Sequence, residues 1–169
     1  MYITGKYWNN YIGDSDDSLT LLEYLANKQE ETITLEEVFS DLGLEALDGD
    51  FRHPEEPITT SINIPEAGIE DLYVDFYFAI NIILDLAAMM LECKKNGSVN
   101  LTELSGGDLD SSVSEITIKS TPTEETIIKN VLDDFADNPL EYDLSEMCDE
   151  DEMNEMAELC ADLKTELFG

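Results

Sequence analysis

The sequence predicts an α+β fold: a single domain over residues 1–169, with four to five helices and an antiparallel or mixed sheet of about four strands. Three observations carry this. Hydrophobic residues make up 43% of the chain, with six Phe, seven Tyr and one Trp, so a core can form despite a formal net charge of −32. Segments with apolar residues at 3/4 spacing are interspersed with segments that alternate every second residue. No internal repeat and no long linker divides the chain. Disordered acidic chains lack this supply of Leu, Ile and aromatics.

The elements follow from local signals. Lys6–Tyr11 is aromatic and irregular. Gly13–Ser18 is a loop running into a helix N-cap, and Leu19, Leu22, Leu25 and Ala26 place a helix at about 16–28. Thr32–Leu35 is a short strand. Thr34 with Glu37 forms a capping box for a helix whose inner face is Val38, Phe39 and Leu42, stopped by Gly43. Residues 48–57 are turn material. Thr59–Ile64 alternates as a strand closed by Pro65, and Asp71–Tyr77 is a second strand.

Phe78–Lys94 is the most apolar helix and the expected centre of the core. Lys94, Lys95, Asn96 and Gly97 end it with cations at the negative pole of the dipole and a C-cap. Ser98–Leu104 and Val113–Ser120 read as strands around a loop at 105–112. Thr121-Pro122-Thr123-Glu124 opens a helix to about Phe135, with Ile127, Ile128, Val131, Leu132 and Phe135 inward. Asn138-Pro139 breaks it. Within Asp143–Leu167, the residues Met153, Met156, Cys160, Leu163 and Leu167 form the seam of a last amphipathic helix.

No residue set for catalysis stands out. His53 is the one histidine, in a turn between Arg52 and Pro54, and reads as solvated. Ser105-Gly106-Gly107-Asp108 lacks the Lys and the helix of a phosphate loop. Cys93, Cys148 and Cys160 are odd in number, lack metal-ligand spacing and read as free thiols in a reducing cytoplasm. Asp14-Ser15-Asp16-Asp17-Ser18 offers oxygens but not the Gly and Glu that close a calcium loop. Asp16 and Asp17 instead suit the positive end of the following helix. With 40 acids, carboxylate pairs arise at any spacing and single out no acid–base pair. Asn81 and Asp85 share a face of the apolar helix and are expected in a buried network with a tyrosine hydroxyl as partner. The protein reads as a non-enzyme, with no catalytic or metal residue and no cofactor.

The charge excludes further classes. Eight basic residues against 40 acidic ones cannot neutralise phosphates, which argues against nucleic acid and against anionic membrane surfaces as partners. The longest apolar stretch, Phe76–Leu91, is interrupted by Asn81 and Asp85 and is too short for a membrane span. Met1–Tyr11 shows no basic segment followed by an apolar run, so a cytoplasmic location is expected.

Eight acids lie between Gln29 and Phe51 and thirteen between Asp133 and Asp162, with no base in either run. A net charge of magnitude about 2–8 suffices for solubility, and self-repulsion opposes compactness, so the excess points to a strongly basic protein partner. A halophile surface would share the excess, but the abundance of Ile, Leu and Phe argues against it. The candidate partner-binding residues form two groups. Tyr7, Trp8 and Tyr11 cluster with Asp14, Asp16 and Asp17; Glu146, Asp149, Glu150, Asp151, Glu152 and Glu155 form the densest run. The three aromatics also fit a packed edge of the core.

The opening Tyr2-Ile3-Thr4-Gly5-Lys6-Tyr7-Trp8-Asn9-Asn10-Tyr11-Ile12-Gly13, followed by Asp16-Asp17-Ser18-Leu19-Thr20, resembles the start of small cytoplasmic immunity proteins. These belong to bacterial polymorphic-toxin systems, in particular contact-dependent growth inhibition. The resemblance implies a non-enzymatic protein that binds one toxin domain tightly and blocks it. Such toxins are often nucleases and hence basic, in agreement with the charge. The expected function is therefore occlusion of the active or substrate-binding site of a basic nuclease domain, as a monomer in a 1:1 complex. The alternative is a nucleic-acid mimic from a phage or mobile element that inhibits a DNA- or RNA-binding enzyme.

Overall fold

A computed structural model describes residues 1–47, 49–54, 58–64, 67–107, 109 and 113–169. The turn expected at 48–57, the loop at 105–112 and the closure by Pro65 fall partly or wholly outside these residues. Among the described residues there are six α-helices and five strands. The helices are α1 (Asp16–Asn27), α2 (Leu35–Leu42), α3 (Ala79–Asn96), α4 (Leu101–Leu104), α5 (Pro122–Asp137) and α6 (Glu150–Phe168). The strands are β1 (Thr32–Thr34), β2 (Ile58–Ile64), β3 (Ile69–Phe76), β4 (Val99–Asn100) and β5 (Glu115–Lys119). The α+β class is as expected.

The core is organised on α3, which is buried continuously from Ala79 to Glu92. A helix apolar all round must be covered on all sides, and α1, α5, α6 and β5 pack against it. Gly97 ends it in the left-handed conformation, φ +86°. The seam of α6 closes the bundle, with Met153, Met156, Cys160, Leu163 and Leu167 all buried.

The strands divide into two sheets where the sequence suggested one. A mixed sheet has the order β1-β5-β4, with β1 parallel and β4 antiparallel to β5. Ile33 pairs with Ile118, and Val99 with Ile116, so buried apolar side chains hold the sheet to the core. The second sheet is the antiparallel hairpin β2–β3, which lies on α1 and α2 through Ile58, Ile62 and Phe76.

Two expectations at 98–104 and 143–167 are corrected. The first segment keeps only Val99–Asn100 as strand; Asn100 Oδ1 then accepts from Glu103 N at 2.8 Å and caps α4, which buries Leu101 and Leu104 three residues apart. In the second, Asp143–Glu146 is a 3-10 turn and α6 starts only at Glu150, because Asp149 takes the N-cap and accepts from Glu152 N at 2.8 Å. The box at Thr34 is half formed. Thr34 Oγ1 accepts from Glu37 N, while the Glu37 carboxylate turns to Lys28 Nζ at 2.6 Å.

The first residues are built into the core. Ile3 and Tyr7 are fully buried, and Trp8 Nε1 donates to the carbonyl of Leu104 at 2.9 Å. The Trp8 ring lies on Gly13, where φ is +77° and a Cβ would fall 2.3 Å from Trp8 Cδ2, so only glycine fits. Gly13 N in turn donates to Asp85 Oδ1 at 3.1 Å, and Ser18 Oγ to Asp85 Oδ2 at 2.6 Å. The partners of Asp85 are thus a hydroxyl from the first turn of α1 and an amide from the loop before it, not the tyrosine expected. Asn81 donates instead to Asp17 Oδ2 at 3.0 Å; Asp17 also accepts from the amides of Tyr77 and Phe78, replacing a side-chain cap at the start of α3. Burial pushes the Asp85 carboxyl up to about 7 from 3.8. Its hydrogen bonds pull the other way, and the Asp17 charge adds to the rise.

Two outcomes follow for stability. Leu86, fully buried on α3, should cost about 2–5 kcal/mol when replaced by Ala, read as a drop in urea midpoint. Asp85 stays protonated in the folded chain up to about 7, whereas unfolded it releases its proton near 3.8. Its contribution is therefore complete below about pH 4 and is lost as pH rises through about 7. Between pH 5 and pH 8 the native protein should lose on the order of 2 kcal/mol relative to Asp85→Asn, measured by urea melts at both pH values.

Candidate partner-binding surface

The acids at the start of α6 are exposed: Glu146, Asp149, Glu150, Asp151, Glu152 and Glu155 all face solvent. Their position in the fold follows from the helix start. Asp149 is the cap, and Glu150, Asp151 and Glu152 occupy the first turn, where negative charge complements the helix dipole. The buried seam holds the opposite face of the helix against α3 and α5, so these carboxylates can only point outward.

The N-terminal group splits. Tyr11 joins the α6 group: its hydroxyl donates to Glu155 Oε2. That bond, with burial and the nearby charges of Glu155, Glu152 and Asp149, raises its pKa. Tyr11 holds φ at +73°, an unusual conformation for a large side chain, and is pinned by the Asn9 N to Ile12 O bond at 2.7 Å. Asp14 is exposed in the loop that follows, and Asp16 is exposed on the first turn of α1. Tyr7, Trp8 and Asp17 are interior. The Tyr7 hydroxyl donates to Glu166, Trp8 is bonded to Leu104, and Asp17 holds the start of α3.

Sequence reasoning did not single out the charged cluster that Arg52 and His53 make with Asp134 on α5 and with Asp143. Arg52 makes a two-point contact with Asp134, Nε to Oδ2 at 2.8 Å and Nη2 to Oδ1 at 2.5 Å. The Tyr142 hydroxyl also donates to Asp134 Oδ2, at 2.6 Å. The Arg52 hydrogen bonds hold the Asp134 carboxyl down at about 2. His53 Nδ1 lies 2.5 Å from Asp143 Oδ1, and that carboxylate raises the imidazole pKa. A cleft of about 380 Å³ lies beside these groups. Its walls are Phe51, Ile58, Phe76 and Ile80, with Asp75 and Asp143 among its polar groups. The signal for the Arg52 contact is slight in sequence, since an isolated base 82 residues from its acid has no local pattern.

Among the described residues no group of His, Cys, Asp and Glu has the arrangement of a metal site. Cys160 is buried and its thiol is pushed up to about 12 by desolvation; Cys93 and Cys148 are also raised, with burial the first cause. Neither low-pKa thiol chemistry nor disulfide bonding is built from these three cysteines, all of which are free. Among the described residues no helix is long and apolar enough to cross a membrane.

Fold and surface together define an acidic α+β protein with carboxylates displayed at the start of its last helix. Residues 2–167 match the model of the family Immunity protein 68, and the chain belongs to that family. The likeness to immunity proteins thus extends from the first twenty residues to nearly the whole chain. Neither the curated proteins nor the solved structures include a match.

Proposed function

We propose that this immunity protein binds and neutralises one toxin domain, that the domain is basic, and that it is a nuclease. Carboxylates of the immunity protein take the place of substrate phosphates against the toxin's Lys and Arg, and occlude the active or substrate-binding site in a 1:1 complex in the cytoplasm. The observation that carries the reading is how the few cations are used. Lys6, Lys28, Arg52 and Lys164 each pair with a carboxylate, and Lys94 bonds the terminal carbonyls of α6. The acids of the α6 start, the Asp14 loop and Asp16 are left facing solvent. A surface of this kind attracts a basic partner over a distance and raises association toward 10⁸–10⁹ M⁻¹s⁻¹ at low salt, by order of magnitude.

The test is co-expression with a candidate toxin domain encoded beside this gene. Protection of the cell and a purified 1:1 complex support the reading; an unprotected cell and no complex overturn it. Neutralising Glu150→Gln, Asp151→Asn and Glu152→Gln together, with the Asp149 cap retained, should lower the association rate about tenfold at low salt. The difference should close as salt rises, because exposed charges are screened beyond about 8 Å at 0.15 M; stopped flow reads both. His53→Ala should leave protection intact, measured as survival of cells producing the toxin.

A further inference from the structure

Five of the seven tyrosines donate their hydroxyl to a carboxylate: Tyr2 and Tyr7 to Glu166, Tyr11 to Glu155, Tyr24 to Asp41 and Tyr142 to Asp134. Tyr73 and Tyr77 do not; they stand 74% and 73% exposed. Residues 73 and 75 alternate away from Phe76, the buried residue that seats the hairpin, and Tyr77 follows directly after the end of β3. Asp75 therefore shares the outer side of β3 with Tyr73 and stands two residues before Tyr77. Thr59 Oγ1 donates to Asp75 Oδ1 at 2.7 Å from the paired position on β2 and steadies the carboxylate there.

Apolar exposure concentrates here. Of the seven large hydrophobic or aromatic side chains exposed among the described residues, Ile69, Leu72, Tyr73 and Tyr77 fall within nine residues of chain; Tyr73 faces outward, Tyr77 follows the end of β3, and Leu72, opposite the buried Ile62, alternates onto the Phe76 side. Such clustering on an otherwise charged surface marks an interaction site. No Lys or Arg occurs between Arg52 and Lys94, while β3 carries Glu70, Asp71 and Asp75, all exposed. The cleft of about 380 Å³ opens at the foot of this face, with Asp75 and Tyr77 in its wall.

We propose that the outer face of β2–β3 is the anchor of the toxin complex and that its occupant is an arginine-bearing segment of the basic toxin. This rests on the function proposed above. A guanidinium pairs with the Asp75 carboxylate and stacks on a tyrosine ring, a combination suited to arginine. Apolar neighbours of that arginine enter the cleft. Tyrosine and arginine are the residue types that dominate binding hot spots. A second copy of the chain is the wrong occupant, since each copy carries −32 and an anionic hairpin. The acids of α6 then set the rate of approach, and the hairpin sets the time of residence.

The experiment uses the full chain and the toxin domain that it neutralises in the co-expression test, inactivated in its catalytic residue. Tetranitromethane modification, read by mass spectrometry, should nitrate Tyr73 and Tyr77 in the free protein and spare both in the complex. Tyr73→Ala with Tyr77→Ala should raise the dissociation rate about 100-fold, and Asp75→Asn about tenfold, with association changed less than about twofold. Wild-type dissociation by these variants, or tyrosines that stay reactive in the complex, overturns the hairpin anchor and leaves the proposed function standing. Failure of the unaltered protein to bind the toxin overturns the proposed function itself. Protection of the two tyrosines in the protein alone, with a doubled mass by light scattering, assigns the face to a second copy and overturns the proposal.

Discussion

Hydrogen bonds from tyrosine hydroxyls to carboxylates fasten the surface elements of this molecule, and at Glu166, Asp41 and Asp134 they reinforce the ion pairs of Lys6, Lys28 and Arg52. Forty acids and eight bases leave too few cations to tie surface elements by charge. A phenol supplies a donor without adding a base, and the bond to an ionised oxygen is stronger than a neutral one. Tyr2 and Tyr7 both donate to Glu166, and Tyr11 to Glu155, so the first eleven residues are fastened along α6 at two levels. Tyr24 and Tyr142 do the same for α1 with α2 and for the 139–146 turns with α5. In each case the carboxylate and burial push the phenol further from ionisation, so the donor keeps its proton throughout the physiological range.

The interior shows the same economy of cations. Asp17 and Asp85 are both buried beside α3, and no Lys or Arg reaches either among the described residues. Backbone amides, one hydroxyl and one amide side chain satisfy them instead. With no cation beside it, burial holds the Asp85 carboxyl up at about 7, although its hydrogen-bond donors pull the other way. The arrangement couples three places: the Gly13 loop, the cap of α1 and the start of α3. The Trp8 ring on Gly13 locks the loop, so the polar network depends on a packing contact that only glycine permits.

Periodicity made most of the fold legible. The core helix, the seam of α6, the Thr121-Pro122 start and the strand at 115–119 all carry local signals that survive in the structure. Asn100 misled because Val99, Leu101 and Asn100, Thr102 alternate, and alternation over four residues does not separate a strand from one helical turn. A side-chain bond from Asn100 to Glu103 N decided it. The split into two sheets was illegible, since pairing partners are distant in sequence: β1 joins β5 across more than eighty residues. For the surface, clustering in sequence brought out the acids but could not separate Asp14 and Asp16 from Asp17, which lies in the same run and points inward. Tyr11 and Glu155 are 144 residues apart, and nothing local announces their contact.

Negative charge on this scale is compatible with folding because of where it is put. The first turns of α1, α2, α5 and α6 each carry two or three acids: Asp16 and Asp17, Glu36 and Glu37, Glu124 and Glu125, and Glu150 to Glu152. An acid there gains about 0.3–1 kcal/mol from the helix dipole, which offsets repulsions of a few tenths of a kcal/mol between neighbours. The positive requirement lies at the C-terminal ends, and it is met sparingly. Lys94 and Lys95 close α3, and Lys94 also bonds the carbonyls of Glu166 and Leu167, so one side chain serves two helix ends. At α6 all three first-turn acids are exposed, whereas Asp17 of α1 and Glu124 of α5 are buried. The start of α6 can therefore carry exposed carboxylates while the same residues help to begin the helix that closes the core.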